Sequence, residues 1–172
     1  SILLKTGRVF TQNDFLQKQN QVPNTSEIYN GYYYRILQFN TLPTNQQKQA
    51  IELSGVQFLG YIPFNSFFVA VPITYQLQQL SVYNVRTILP IEVNSKLSLR
   101  LRENDIPAYA KKGGDVDLII QYYKNLNYAT VSEELLSKNC SVLGHQDGNQ
   151  LITIRTSENN WQSIAALPFI KF

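Results

Sequence analysis

A chain that writes one pattern twice must fold into something that accommodates two like units, and this chain does so at a fixed distance. Tyr33-Tyr34-Arg35-Ile36-Leu37-Gln38-Phe39 is answered by Asp117-Leu118-Ile119-Ile120-Gln121-Tyr122-Tyr123, an offset of 117 − 33 = 84. Gly55-Val56-Gln57-Phe58-Leu59-Gly60-Tyr61 is answered at the same spacing by Asn139-Cys140-Ser141-Val142-Leu143-Gly144-His145. Leu77 and Leu80 fall over Trp161 and Ile164, and Val85 and Ile88 over Phe169 and Phe172. Few letters are shared, but hydrophobic character is. Solenoid repeats recur every ~20–50 residues, so so long a period reads as two tandem copies of a small domain.

In the first copy, the aromatic and β-branched run Tyr32 to Phe39 predicts a buried strand, stopped by Asn40 and Pro43. Thr44 and Gln47 have capping-box spacing, which predicts a helix from Asn45 to Ser54 with Ala50, Ile51 and Leu53 near one face and Gly55 ending it. Val56 to Tyr61 and Phe67 to Val71 read as a hairpin. Thr74 is placed to cap a second helix with Leu77 and Leu80 inward, and Val85 to Leu89 returns as a strand. The second copy follows with a strand from Val116 to Tyr123 and a capping box at Thr130 and Glu133 ahead of Leu135 and Leu136. A hairpin of Cys140 to Gln146 and Gln150 to Thr156 turns tightly at Asp147-Gly148-Asn149. A short helix buries Trp161, Ile164 and Ala165, and Pro168 ends it before a strand over Phe169 to Phe172.

Strand, helix, hairpin, helix, strand is the split βαβ arrangement. The expected fold is therefore α+β: two tandem ferredoxin-like βαββαβ domains, each an antiparallel sheet with helices on one face. Residues 1–31 are expected to be an N-terminal extension with a polar, linker-like middle, 32–90 the first domain, 91–114 a connector and 115–172 the second domain. Within the connector, Lys96 to Arg102 alternates apolar with polar and reads as a strand.

Chemistry is thinly supplied. One His and one Cys exclude a disulfide within the chain and leave no Cys/His metal site, and no residue set suggests a cofactor. A net charge of +3, without runs of like charge, argues against a nucleic-acid partner. No stretch approaches the ~20 apolar residues of a membrane span. The opening Ser1-Ile2-Leu3-Leu4-Lys5 lacks the pattern of a signal peptide, so the chain is expected to be cytosolic or to have lost its address. Cys140 sits over Val56, which predicts a buried apolar role; His145 is expected at a hairpin edge and Trp161 in the core. Tyr32, Tyr33 and Tyr34 alternate faces, so at least one is expected to be exposed. Lys111-Lys112, Arg100 and Arg102 read as solvated charges. Asn24-Thr25-Ser26 and Asn139-Cys140-Ser141 match the glycosylation pattern, which chance produces often.

The segments Tyr34-Arg35-Ile36-Leu37-Gln38-Phe39, Gly55-Val56-Gln57-Phe58-Leu59-Gly60-Tyr61-Ile62-Pro63 and Phe67-Phe68-Val69-Ala70-Val71-Pro72 resemble the N-terminal pro-region of secreted subtilisin-like (S8 family) serine proteases, above all those of Bacteroidetes-type bacteria. Leu3-Leu4-Lys5-Thr6-Gly7 and Lys96-Leu97-Ser98 resemble it too, so the likeness runs through essentially the whole chain, in pattern more than in letters over the second copy. It implies a non-catalytic pro-domain whose sheet docks on the surface helices of a protease domain following in cis, assisting its folding and blocking its cleft. It further implies a secreted, cell-surface or periplasmic location and a precursor that is a serine endopeptidase. The fragment itself is not expected to be an enzyme: a subtilase needs Asp, His and Ser with an oxyanion hole, and His145 stands in no such motif. Phe169-Ile170-Lys171-Phe172 aligns with a strand, so a cleft-binding tail would begin after Phe172 and no protease-contact residue is assigned.

The alternative is a tandem ferredoxin-like protein-interaction or surface-adhesion module without a protease. RNA-binding sheets carry a Gly-rich aromatic signature that Phe67-Phe68-Val69-Ala70-Val71 lacks, and no anion-cradling Arg loop suggests an acylphosphatase-like hydrolase.

Overall fold

A computed structural model describes all 172 residues, with mixed α and β structure and antiparallel sheets. The chain divides into two compact units, Ser1–Ser95 and Lys96–Phe172.

Unit 1 opens with a hairpin of β1 (Ile2–Leu4) and β2 (Gly7–Val9), then α1 (Phe15–Lys18) and β3 (Ile28–Tyr29). There follow β4 (Tyr32–Phe39), α2 (Asn45–Leu53), β5 (Gln57–Ile62), β6 (Ser66–Pro72), a 3₁₀ stretch (Leu77–Tyr83) and β7 (Val85–Pro90). The strands lie in the order β7-β4-β6-β5, every neighbour antiparallel, with β3 sharing the β7 edge of β4. The Thr44 capping box forms as expected: Gln47 N–H donates to Thr44 Oγ1 at 3.1 Å, and Thr44 N–H donates to Gln47 Oε1 at 3.0 Å. Of the residues expected inward on α2 only Ile51 is buried; Ala50 and Leu53 face solvent. Thr74 does not cap a helix, because Tyr75 N–H closes a turn onto Pro72 O and the 3₁₀ stretch begins only at Leu77.

One sheet face carries the main core, where Tyr33, Leu37, Phe39, Val69 and Val71 pack against Ile51, Leu77 and Leu80. The other face is covered as well, since Ile2 packs on Ile36 and Ile62. Gln38 ties this cover down: its amide donates to Ser1 O and Phe64 O, and its oxygen accepts from the Thr11 hydroxyl at 2.6 Å. Phe15 enters the main core. Residues expected to form an extension are thus built into unit 1. Tyr33 and Tyr34 are both buried and Tyr32 half-buried, so none of the three is the exposed aromatic that alternation predicts.

α3 (Val93–Lys96) leads into unit 2, which continues with α4 (Leu99–Arg102), β8 (Lys111–Lys112), β9 (Asp115–Gln121), α5 (Tyr128–Ser137), β10 (Ser141–Gln146), β11 (Leu151–Ser157) and α6 (Trp161–Ala165). Its strand order is β10-β11-β9-β8, again antiparallel. Four expectations are corrected here. Lys96 to Arg102 is helical turns, not a strand, because Ser98 Oγ caps α4 by accepting from Leu101 N–H. Asn127 caps α5 in place of Thr130, which supplies the N–H that the Asn127 side chain accepts at 2.9 Å. The turn at Asp147–Asn149 is 3₁₀, and the left-handed residue is Gln150, at φ 54. Phe169 to Phe172 forms no full strand: Ile170 N–H first turns onto Leu167 O, and the chain then meets β9 only at an isolated bridge between Tyr122 and Ile170.

Matching positions of the two units are related by an offset that drifts. Ile51 and Leu135 keep 135 − 51 = 84, as do Gly55 and Asn139 at positive φ and the bulges at Phe58/Gly60 and Val142/Gly144. Tyr33 and Val116, each facing the helices, differ by 116 − 33 = 83, while Val69 and Ile154 differ by 154 − 69 = 85. One additional residue lies in the strand-to-helix loop of unit 2 and one in its hairpin turn. A constant offset would lay core Tyr33 over Asp117 on the opposite face, since a one-residue slip in a strand inverts every side chain.

With the register corrected, Ile36 on β4 corresponds to Ile119 on β9 (119 − 36 = 83); the first is 2 % exposed and the second 68 %. Ile36→Ala is expected to cost about 2–5 kcal/mol in denaturant unfolding of unit 1. Ile119→Ala is expected to stay within about 0.5 kcal/mol. Equal costs would contradict the difference in how the two sheet faces are covered.

Candidate functional site

Two features mark unit 2: an uncovered sheet face and an apolar cavity at the edge of β9. The face lies opposite α5 and α6. Along β9 it presents Asp115, Asp117, Ile119 and Gln121, and along β11 Thr153 and Arg155. Period-two alternation puts Val116 and Ile120 of the same strand into the core. Asp117 and Arg155 stand directly opposite each other and form a forked pair, Nε to Oδ1 at 2.7 Å and Nη2 to Oδ2 at 2.9 Å. Hydrogen bonding from Arg155 holds the Asp117 carboxyl below its ordinary range. A rigid ion pair beside an exposed isoleucine is chemistry suited to recognising a protein surface.

The cavity, of about 70 Å³, is lined chiefly by Leu97, Leu101, Ile120, Trp161, Ile164 and Phe172, with Lys96 at its wall. Lys96 is 5 % exposed, and its ammonium donates to Leu167 O at 3.0 Å with no carboxylate in salt-bridge range. Burial alone pulls its pKa down to about 8. Sequence alternation did not single out Lys96, since only the fold reveals that the stretch is helical and turned inward.

The residues singled out from sequence do not come together as a catalytic set. Cys140 is buried, and burial raises its thiol pKa, the reverse of an activated nucleophile. His145 lies exposed on β10, its ring stacked 3.7 Å from Tyr128 and its Nδ1 2.6 Å from Asp147 Oδ1. Trp161 is in the core, as expected. Lys111, Lys112, Arg100 and Arg102 are exposed. Asn24 caps the 3₁₀ turn Thr25–Glu27, and Asn139 O accepts from the Thr156 hydroxyl at 3.2 Å. No group of three or more His, Cys, Asp or Glu side chains is placed to hold a metal ion. No helix is long and apolar enough to cross a membrane.

A family profile described as a domain of unknown function (DUF8729) matches residues 3–92. The chain belongs to this family. The DUF8729 match begins in β1 and ends just past β7, so it takes in the hairpin over the second sheet face together with the whole five-stranded sheet of unit 1. No curated protein and no solved structure matches the chain.

Lys96 gives a pH signature. Its folded pKa, about 8, lies below the ordinary lysine value of 10.5, so from about pH 8 to 10.5 the unfolded chain binds more protons and unit 2 gains stability as pH rises. Lys96→Met is expected to remove that rise and to stabilise unit 2 at pH 7 by up to about 3 kcal/mol. Unfolding curves of both proteins across pH 7–10.5 check this; parallel profiles would place the Lys96 charge in water.

Proposed function

We propose that this chain is the non-catalytic pro-domain of a secreted subtilisin-like serine protease, assisting the folding of a protease domain that follows it in cis and inhibiting that domain until cleavage. In this reading both units are ferredoxin-like. The order β7-β4-β6-β5 in unit 1 supports this, since it is the order a split βαβ unit takes when a helical crossover leads from β4 to β5 and another stretch leads from β6 to β7. Unit 2 has the same order over three strands and a bridge.

The observation that carries the reading is the uncovered face of unit 2. A pro-domain works by presenting a sheet to a partner, and Ile119, 68 % exposed between Asp117 and Gln121, gives that sheet an apolar centre within a polar surround. Unit 1, closed on both faces, serves as scaffold. The same face also favours a second reading, an interaction or surface-adhesion module with no protease.

The decisive experiment uses the protease domain of the same precursor. The chain added in trans is expected to inhibit it saturably and to raise its refolding yield, and Ile119→Asp to weaken inhibition at least tenfold while leaving the unfolding curve of the chain unchanged. If the precursor encodes no such domain, or the chain neither inhibits nor assists it, the pro-domain reading fails. Inhibition untouched by Ile119→Asp would move the contact to another face.

A further inference from the structure

The likeness between the units extends upstream of their central strands, and there one pair of side chains behaves differently in each. Asp14 and Ser98 precede α1 and α4 (98 − 14 = 84). The two-residue ladder of Ile28 and Tyr29 onto β4 is matched by Lys111 and Lys112 onto β9 (111 − 28 = 83). In unit 1 the Gln78 amide donates to Asn20 Oδ1, joining the 3₁₀ stretch to the segment after α1. Gln162 and Asn104 are the counterparts of that pair, since 162 − 78 and 104 − 20 both equal 84. They are not bonded to each other; both line a cleft of about 340 Å³.

The other walls of this cleft change in the same sense. Lys111 stands where unit 1 has Ile28, which packs against the main core, and Glu158 stands where it has Ile73 (158 − 73 = 85). The second match is fixed by the backbone, for Ile73 N–H donates to Gly31 O and Glu158 N–H to Gly114 O, each at 3.0 Å. Asn159 adds a third carboxamide, and the core residue Trp161 forms a further part of the wall. Lys111 and Glu158 are exposed, and neither belongs to an ion pair. The cleft thus holds one cation, one anion and three groups that both donate and accept. Its volume is within the ~300–1,000 Å³ of small-molecule sites, but such sites are mostly apolar, and this lining selects for a polar ligand.

We propose that this cleft binds a dipeptide with both termini free: Glu158 takes its ammonium, Lys111 its carboxylate, and the carboxamides of Asn104, Asn159 and Gln162 its peptide group. Walls of equal and opposite charge favour a dipolar ligand over one with net charge. Lys111 and Glu158 lie beyond ion-pair distance of each other, which suits termini separated by a peptide bond and not the adjacent charges of a single amino acid. A side-chain amide matches a peptide group donor to acceptor and acceptor to donor, whereas a neutral polyol brings no charge for either end of the cleft. The scarcity of apolar wall restricts the ligand to small side chains. The site is independent of the protease reading, which concerns the sheet face.

The test titrates the isotope-labelled chain with alanyl-alanine and follows side-chain amide resonances. Those of Asn104, Asn159 and Gln162 are expected to shift saturably, while those of Asn20 and Gln78 in unit 1 stay in place. Acetylating the amino terminus or amidating the carboxyl terminus of the probe is expected to weaken binding about tenfold each, the worth of one charged hydrogen bond. Glu158→Gln is expected to abolish the penalty for acetylation alone, and Lys111→Gln the penalty for amidation alone. Both positions are exposed, so the fold is expected to tolerate either change. If blocked and free dipeptides bind equally, or if the variants do not separate the two ends, the assigned roles fall. Binding of glucose as tight as that of alanyl-alanine would overturn the peptide class. No saturable shift with alanyl-alanine or glycyl-glycine would overturn the site.

Discussion

Each unit is built around a central strand, and how far that strand's two edges are paired separates the units. In unit 1, β4 pairs with β6 along nearly its whole length and with β3 and β7 on the other side, so its backbone donors and acceptors are spent within the sheet. This permits the run Tyr33 to Phe39 to be almost wholly buried, for only a strand with no free edge and no open face tolerates apolar side chains in both directions. The Gln38 amide, buried yet fully engaged with Ser1, Thr11 and Phe64, is the polar exception that locks the outer cover in place. In unit 2, β9 has a complete neighbour only in β11; one face of its sheet is open, a cavity lies against Trp161, and the Lys96 ammonium has no counter-charge.

The strand β4 and the start of α2 are legible because local chemistry and tertiary environment agree there. Tyr32 to Phe39 reads as a buried strand and is one, and the Thr44 capping box is satisfied at both ends. Errors arose where two local signals competed. Thr130 with Glu133 looks like a cap, but Asn127, three residues earlier, starts the helix by accepting from the Thr130 N–H itself. Lys96 to Arg102 alternates like a strand, but Ser98 starts a helical turn inside it. Asp147-Gly148-Asn149 suggests a tight turn with positive φ at the Asp-Gly step, but the left-handed position falls at Gln150. The additional residue in this hairpin also shifts the repeat, which a fixed offset detects as similarity but misaligns as register.

The candidate surfaces were far less legible than the fold. Ile119 belongs to a continuous apolar run, Leu118-Ile119-Ile120, and nothing in those letters says which member meets water. In unit 1 the matching face is covered by residues some 30 positions upstream, around Ile2, and a contact over that separation leaves no periodic trace in β4. Lys96 was missed for a related reason: a lysine between Ser95 and Leu97 reads as solvated until Val93–Lys96 winds and carries it inward.

The short open stretch of the β9 edge also bears on self-association. Unpaired N–H and C=O groups flanking an exposed isoleucine form a template for any passing strand, another copy of this chain included, and edges of this kind are where β-sheet proteins aggregate. The gap here is short, and its surroundings are charged: Asp115 and Asp117 on β9, Lys112 beside them and Arg155 across. Such residues tax an incoming strand with buried or mismatched charge and act as gatekeepers. The charged residues around Ile119 thus discourage the chain from polymerising with its own kind.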